Sequence, residues 1–556
     1  MAWFVAAAVL LITLFSLSKP GVPALNDVPI AFQSSRAYGD MKTISERFPQ
    51  RVGGSQRDYR FAEWLTRTLN AIGLETHVDS FVATINGRAV ILQNIWAVSQ
   101  GSSPGTILVI ANRDVPARAI QGADDNASGV AVALELARVF TATPHDHTFV
   151  FLFTDGDAAG ALGARDFVDR HGTSGMIAAI ALRRVGFAGA RRLTVDGWST
   201  SARVAPPWLW LLSRTAAHNT GGKYAVLPGP LTQMLRLAVP SSSGSQGPLV
   251  AAGVPAVTLS TDGHHPDPVS DTATVVSTTT MARVGSTVER MLGSIDASAL
   301  VLARSGNSVF LSHWRSVSGG VVEAALAVLM LPLVVVTIDL FAHNRRRRAP
   351  LWPCWARYGL HVAPWLLSLL VVYAANLLAW LPHTPGAVIP PDSLVAQNPR
   401  YLRVLLLLVV LTGTYWYAVV AERRLTRRLP IDREATVFVA FVALTTIAFL
   451  VYLINPFSLL LLVPAAILWP LVRFGRWWRS VLPVWAGLGF VAVALLFFAV
   501  RVHIGARVWW YFFVLFENRS IPAKVAVLGV AFIAATDMLA RALRRPDDTI
   551  FTTARR

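Results

Sequence analysis

Apolar and polar positions divide this chain into two regimes that meet near residue 320. Upstream, apolar residues come in short runs. Segments 105–111, 147–154, 176–182 and 254–260 are apolar, the first with several β-branched residues, and they read as buried strands. The run 130–140 reads as a helix packed behind them. Strands and helices in this order point to an α/β domain over residues 27–310, with a mostly parallel sheet whose functional positions lie at the strand carboxyl ends.

Downstream, the apolar runs lengthen to about the 20 residues that a bilayer span requires. They cover 321–342, 358–381, 401–420, 435–454, 457–472, 481–500 and 521–539. This predicts a polytopic α-helical transmembrane domain of about seven spans over residues 321–541, followed by a tail at 542–556. A further apolar segment at 2–17 predicts a signal anchor or a cleaved signal peptide within residues 1–20.

Composition supports the membrane reading. Of the 556 residues, 54% are hydrophobic and the mean hydropathy is +0.49, too apolar for a soluble chain of this size. Charge then sets the orientation. Arg345, Arg346, Arg347 and Arg348 follow the first long run, and Arg423, Arg424, Arg427 and Arg428 the third. Arg473, Arg476 and Arg479 follow the fifth, and Arg541, Arg544 and Arg545 the last. Every second loop is basic, so by the positive-inside rule these loops are cytoplasmic and the α/β domain lies outside. The loop 501–520 carries Arg501, Arg507 and Arg519 against this scheme, while its Trp509, Trp510 and Tyr511 suit an interfacial aromatic belt.

The net charge of +18 is thereby assigned to topology and to contact with anionic membrane lipids, with no nucleic acid partner expected. The single cysteine, Cys354, falls in a cytoplasmic loop, so the external domain has no disulfide. Glu323, Asp339, Asn376 and Asp537 lie within or near the ends of spans, where interfacial placement accounts for them.

Candidate chemistry sits in the first regime. The segment Gly122-Ala123-Asp124-Asp125-Asn126-Ala127-Ser128-Gly129 resembles the metal-bridging signature of metallopeptidase family 28, the di-zinc aminopeptidases. The resemblance implies that Asp125 bridges two zinc ions. It also implies a His-x-Asp after the first strand, and here the tripeptide is Asn112-Arg113-Asp114. Asn112 replaces the histidine ligand, and Asp114 keeps the position that would orient it. After the second strand, Asp155-Gly156-Asp157-Ala158 resembles the family's Asp-Gly-Glu-Glu. Asp157 therefore stands at the general-base position, one methylene short, and Ala158 replaces a ligand.

After the third strand Arg183 occupies a ligand position, and a guanidinium stays protonated and cannot coordinate zinc. His265, or His264 instead, matches the last ligand histidine, and the Ser-Asp-His expected before the fourth strand is represented by Gly244-Ser245-Gln246. Only Asp125 and one histidine survive of the ligand set, whereas a catalytic zinc site takes about three protein ligands plus water.

The resemblance thus implies a peptidase fold with zinc binding reduced or lost. Arg183, with Arg184 or Arg113, is expected to neutralise Asp125 and Asp157 in place of metal. The expected function is a pseudopeptidase that binds peptides or a partner protein. The alternative is an active membrane-bound aminopeptidase with a reduced site or a single zinc on Asp125, Asp157 and His265. One span, an external peptidase-like domain and a bundle together resemble the endoplasmic reticulum metallopeptidases and their bacterial relatives.

Overall fold

The computed structural model describes residues 16–26, 28–221, 223, 227–242, 244–263, 265–300, 302–312, 314–377, 384, 388–391, 393–426, 432–471, 482, 484–489, 491–493, 496, 500, 505–518 and 522–543. The first apolar segment up to residue 15, His264, the arginines at 427, 428, 473, 476, 479, 501, 519, 544 and 545, and the tail fall outside these residues.

Helices α1 (Ser34–Arg47) and α2 (Gln56–Ile72) open the domain. In α2, the Ser55 side chain accepts a hydrogen bond from the Asp58 backbone at 3.2 Å, and Gly73 closes the last turn in the left-handed conformation. Strands β1 (Glu75–Ile85) and β2 (Arg88–Ser99) then form an antiparallel hairpin. Its turn is Asn86-Gly87, both at positive φ, the conformation that matches the strands' twist.

The next elements are β3 (Ser103–Asn112), α3 (Gly129–Ala142), β4 (His147–Thr154), α4 (Leu162–His171), β5 (Met176–Leu182) and β6 (Leu193–Asp196). They are followed by α5 (Pro207–Asn219), α6 (Pro230–Ala238), α7 (Gln246–Ala251), β7 (Ala256–Thr261) and α8 (Thr278–Asp296).

The sheet order is β1-β2-β4-β3-β5-β7-β6. The four strands expected from the sequence form its parallel centre, β4-β3-β5-β7. Antiparallel β1, β2 and β6, not anticipated, extend it at both sides, so the sheet is mixed. Both faces of the centre are covered. Ile107, Val109 and Ala111 join the core beneath α1, α3 and α8, while Leu108 and Ile110 join a second core with Phe167, Leu249 and Val250. This alternation on a strand buried from both sides explains why β3 reads as an unbroken apolar run.

Among the described residues, five helices are long and apolar enough to cross a membrane: Gly319–Arg346, Leu351–Ala375, Tyr401–Leu425, Arg433–Ile454 and Ala523–Leu543. They support an integral membrane protein. The expected span at 457–472 is corrected to 3₁₀ turns at Pro456–Leu461 and Trp469–Leu471 around a short helix, Val463–Leu468. Pro456, Pro464 and Pro470 remove backbone donors there and break the run. The expected span at 481–500 lies partly outside the described residues.

One end of the bundle touches the α/β domain. Asn455 Nδ2 donates to the Leu237 carbonyl at 2.8 Å and Ser458 Oγ to the Ala238 carbonyl at 2.8 Å, capping the carboxyl end of α6. The Asn86 amide of the β1–β2 turn also donates to Thr384 Oγ1 at 3.2 Å. The opposite end carries the basic flanks, where Arg347 pairs with Asp432 and Glu434.

Candidate functional site

The carboxyl ends of β3, β4, β5 and β7 deliver Asp114, Asp157, Arg183 and the loop bearing His265 to one edge of the sheet. The turn before α3 meets them there. Gly122 has φ +58, and a Cβ on it would lie 2.4 Å from Val115 Cγ1 and 2.7 Å from the Asp125 carbonyl oxygen. A Cβ on Gly129 would lie 2.7 Å from the Leu182 carbonyl, so both glycines allow the turn to press against β5 and its neighbours. Within the turn Asp125 leaves helical geometry, at φ −109 and ψ 82.

Asp125 faces two guanidinium groups. Arg184 donates to its Oδ2 from Nε at 3.0 Å and from Nη2 at 2.7 Å, and Arg183 approaches more loosely, at 3.4 Å to Oδ1 and 3.5 Å to Oδ2. Arg184 reaches back because its backbone is left-handed, φ 52. Burial by itself would raise the Asp125 pKa, but Arg184 and then Arg183 outweigh it and hold the carboxyl well below the usual carboxylate range.

Arg183 also lies 3.8 Å from Asp157 Oδ2, and Ser245 Oγ donates to Asp157 Oδ1 at 2.7 Å. Ser245 belongs to the Gly244-Ser245-Gln246 segment that departs from the family pattern. Arg113 is placed elsewhere than on Asp125 or Asp157. It is fully buried between Asp58 Oδ1 at 2.5 Å and Asp155 Oδ2 at 2.8 Å.

The remaining predicted residues have other partners. Asp114 accepts from the backbone amides of Asp157 and Ala158, both at 3.0 Å, and so shapes the loop after β4. Burial, with Asp155 and Asp157 nearby, pushes its carboxyl up to about 7 despite these donors. Asn112 Nδ2 donates to the Asp114 carbonyl at 3.3 Å. His265 Nδ1 lies 2.7 Å from Asp124 Oδ2 and its Nε2 lies 2.8 Å from the Thr261 carbonyl. Both ring nitrogens are thereby engaged within the protein.

The sequence reading did not assign these supports. Asp271 accepts from the backbone amides of Asp124 at 2.7 Å and Asp125 at 2.9 Å, and burial pushes its carboxyl up to about 6. Arg51 donates to the Gly122 carbonyl and to Asn126 Oδ1, each at 2.7 Å. Neither contact leaves a local signature, because both partners lie more than seventy positions away in the chain.

These residues do not fit a zinc ion. Asp125 accepts from two guanidiniums, His265 has both nitrogens engaged, Ala158 has no donor atom, and Arg183 has no lone pair to offer. Among the described residues no group of three or more His, Cys, Asp or Glu side chains is placed to hold a metal.

A cavity of about 430 Å³ opens beside the site. Gly53, Asp114, Ala158 and Arg183 line it from the domain. Ile389, Val395 and Arg400, from the bundle's loop, line it from the other side. Trp510 Nε1 donates to the Val395 carbonyl at 2.7 Å and the Tyr511 hydroxyl to the Ile389 carbonyl at 2.9 Å, fixing this roof.

Comparison with known proteins agrees with the motifs. Residues 94–292 match the profile of Peptidase family M28. The alkaline phosphatase isozyme conversion protein of Escherichia coli (strain K12) is 27% identical over 164 residues, 25% of this chain and 48% of that protein. The chain thus spans about half the length of that relative. Among solved structures, a zinc aminopeptidase from Bacillus subtilis is 16% identical with a TM-score of 0.41, covering 48% of this chain and 95% of the other. A glutaminyl cyclase from Porphyromonas gingivalis is 22% identical with a TM-score of 0.41, covering 47% and 98%. Within the α/β domain, residues 94–292 thus match the M28 peptidase family.

Proposed function

We propose that this protein is a membrane-bound pseudopeptidase whose M28 domain lies on the extracytoplasmic side and recognises peptides or a segment of a partner protein without cleaving them. The observation that carries this reading is the pairing of Asp125 with Arg184 and Arg183. A fixed cation stands where the family's bridging carboxylate would meet metal, so the fold keeps its charge balance and loses its Lewis acid. The cavity beside it, enclosed partly by the bundle's own loop, supplies a recess for a ligand.

A second reading, an active aminopeptidase with a reduced or single-zinc site, has one observation in its favour. Asp157 is kept at the general-base position, buried and held by Ser245. Zinc content and hydrolysis of aminoacyl nitroanilides by the purified full-length protein separate the two. The pseudopeptidase reading expects zinc far below one equivalent and no hydrolysis. Near-stoichiometric zinc together with amino-terminal cleavage overturns it.

A further inference from the structure

Two arginines in the cavity lining have no acidic partner among the described residues. Arg88 comes from the domain, one residue past the β1–β2 turn, and Arg400 from the bundle, at the start of the helix Tyr401–Leu425. Arg183, also in the lining, is already engaged with Asp125 and Asp157. The lining also includes apolar side chains, Ile85 and Val90 from the domain and Ile389 from the loop.

A recess lined by two such cations, both exposed to solvent, disfavours a positively charged peptide amino terminus and favours a carboxylate. The planar fork of arginine matches a carboxylate with two parallel hydrogen bonds. Resting on the peptide-binding reading above, we propose that the cavity takes a peptide segment that presents a carboxylate, at its carboxyl terminus or on an acidic side chain, to Arg88 and Arg400. Adjoining apolar residues of the segment lie against Ile85, Val90 and Ile389. Because one arginine belongs to each domain, an occupied cavity also ties the peptidase-like domain to the bundle.

The test uses the full-length protein in detergent and two fluorescent pools of acetylated apolar tetrapeptides, one ending in glutamate and one in glutamine amide. The proposal expects the acidic pool to bind at least about tenfold more tightly by anisotropy, with affinity falling as salt rises. Arg88→Gln and Arg400→Gln should each weaken the acidic pool about tenfold and leave the amide pool unchanged. An unaltered melting temperature for these variants establishes that they fold.

Equal binding of the two pools overturns the carboxylate assignment while leaving peptide recognition standing. Failure of both pools to bind overturns the peptide-binding reading and this proposal together. Displacement of the acidic pool by inorganic phosphate or phosphatidylglycerol micelles at equal affinity assigns the arginines to a phosphate and also overturns it.

Discussion

If guanidinium groups balance Asp125, removing them in turn should expose a graded, more than additive cost. Arg184→Ala deletes the two closest bonds, at 3.0 and 2.7 Å, to a carboxylate whose side chain is only 9% exposed. Removing one partner of a fully buried pair costs about 3 to 5 kcal/mol. Arg184 is 24% exposed and Arg183 remains nearby, so about 2 kcal/mol is the reasonable figure. Arg183→Ala, deleting contacts of 3.4 and 3.5 Å, should cost about 1 kcal/mol.

The double variant leaves Asp125 buried with neither arginine, and about 4 kcal/mol is expected, above the sum of the single effects. Adding Asp125→Asn to the double variant removes the uncompensated charge and should recover at least about half of that loss. Hydrogen–deuterium exchange of peptides from β3, β5 and residues 123–128 in the full-length protein reads these local free energies without isolating the domain. A double variant with wild-type protection, or no recovery on adding Asp125→Asn, refutes the claim that these arginines balance the site.

Other expectations follow from the same geometry. Asp114 and Asp271 have raised folded-state values, about 7 and about 6, so the stability they contribute is present below the unfolded carboxylate range and is lost as pH rises through those values. Asp125, held low, keeps its contribution throughout the same interval. Unfolding stability of the domain, read by exchange, should therefore fall between pH 5 and 8, by roughly 3 kcal/mol from Asp114; a rise across this range contradicts the assignment. The variant Asn112→His, Ala158→Glu, Arg183→Asp and Arg184→Gly should take up zinc by elemental analysis, whereas the same variant with Arg184 retained should take up far less, because its guanidinium still covers Asp125. A reporter fused after Arg348 should be cytoplasmic and one fused within residues 391–400 external; the reverse result removes the extracytoplasmic placement of the domain.

What could be read from the sequence was what repeats locally. Strands β4 and β5 coincide with apolar runs 147–154 and 176–182, because a strand buried on both faces needs no partner information to look apolar. The β1–β2 hairpin also carried a local signal, Asn86-Gly87 between alternating strands, and was missed because the half-exposed strand β1 is less apolar. Pro456, Pro464 and Pro470 likewise marked the broken run at 457–472, but hydrophobicity alone dominated that assignment.

The site divides in the same way. Arg183 was legible from its offset to the strand end, whereas the closer partner, Arg184, depends on a left-handed backbone that no residue type announces. Arg113 looked equally suited to Asp125, yet it is drawn to Asp58, 55 positions away, and to Asp155. Which carboxylate an arginine meets is decided by packing across the sheet edge, and only the assembled domain supplies that.

The charge count at this edge argues for how the substitution was accommodated. Asp58, Asp114, Asp124, Asp125, Asp155, Asp157 and Asp271 are all buried, and the guanidinium groups around them are those of Arg51, Arg113, Arg183 and Arg184. Carboxyl groups outnumber guanidiniums, and burial, with Asp155 and other acids nearby, raises Asp58 and Asp114 above the usual range, as burial does Asp271. Had arginine replaced only one ligand without reaching Asp125, the carboxylate most strongly held in its charged form would have had to be neutralised as well. Arg183 and Arg184 thus serve the carboxylate held deprotonated, Asp125, while the neighbouring Asp58, Asp114 and Asp271 are the ones shifted toward the neutral form. Rebuilding a ligand set without also releasing Asp125 from Arg184 would leave that balance in place, and with it the barrier to metal binding.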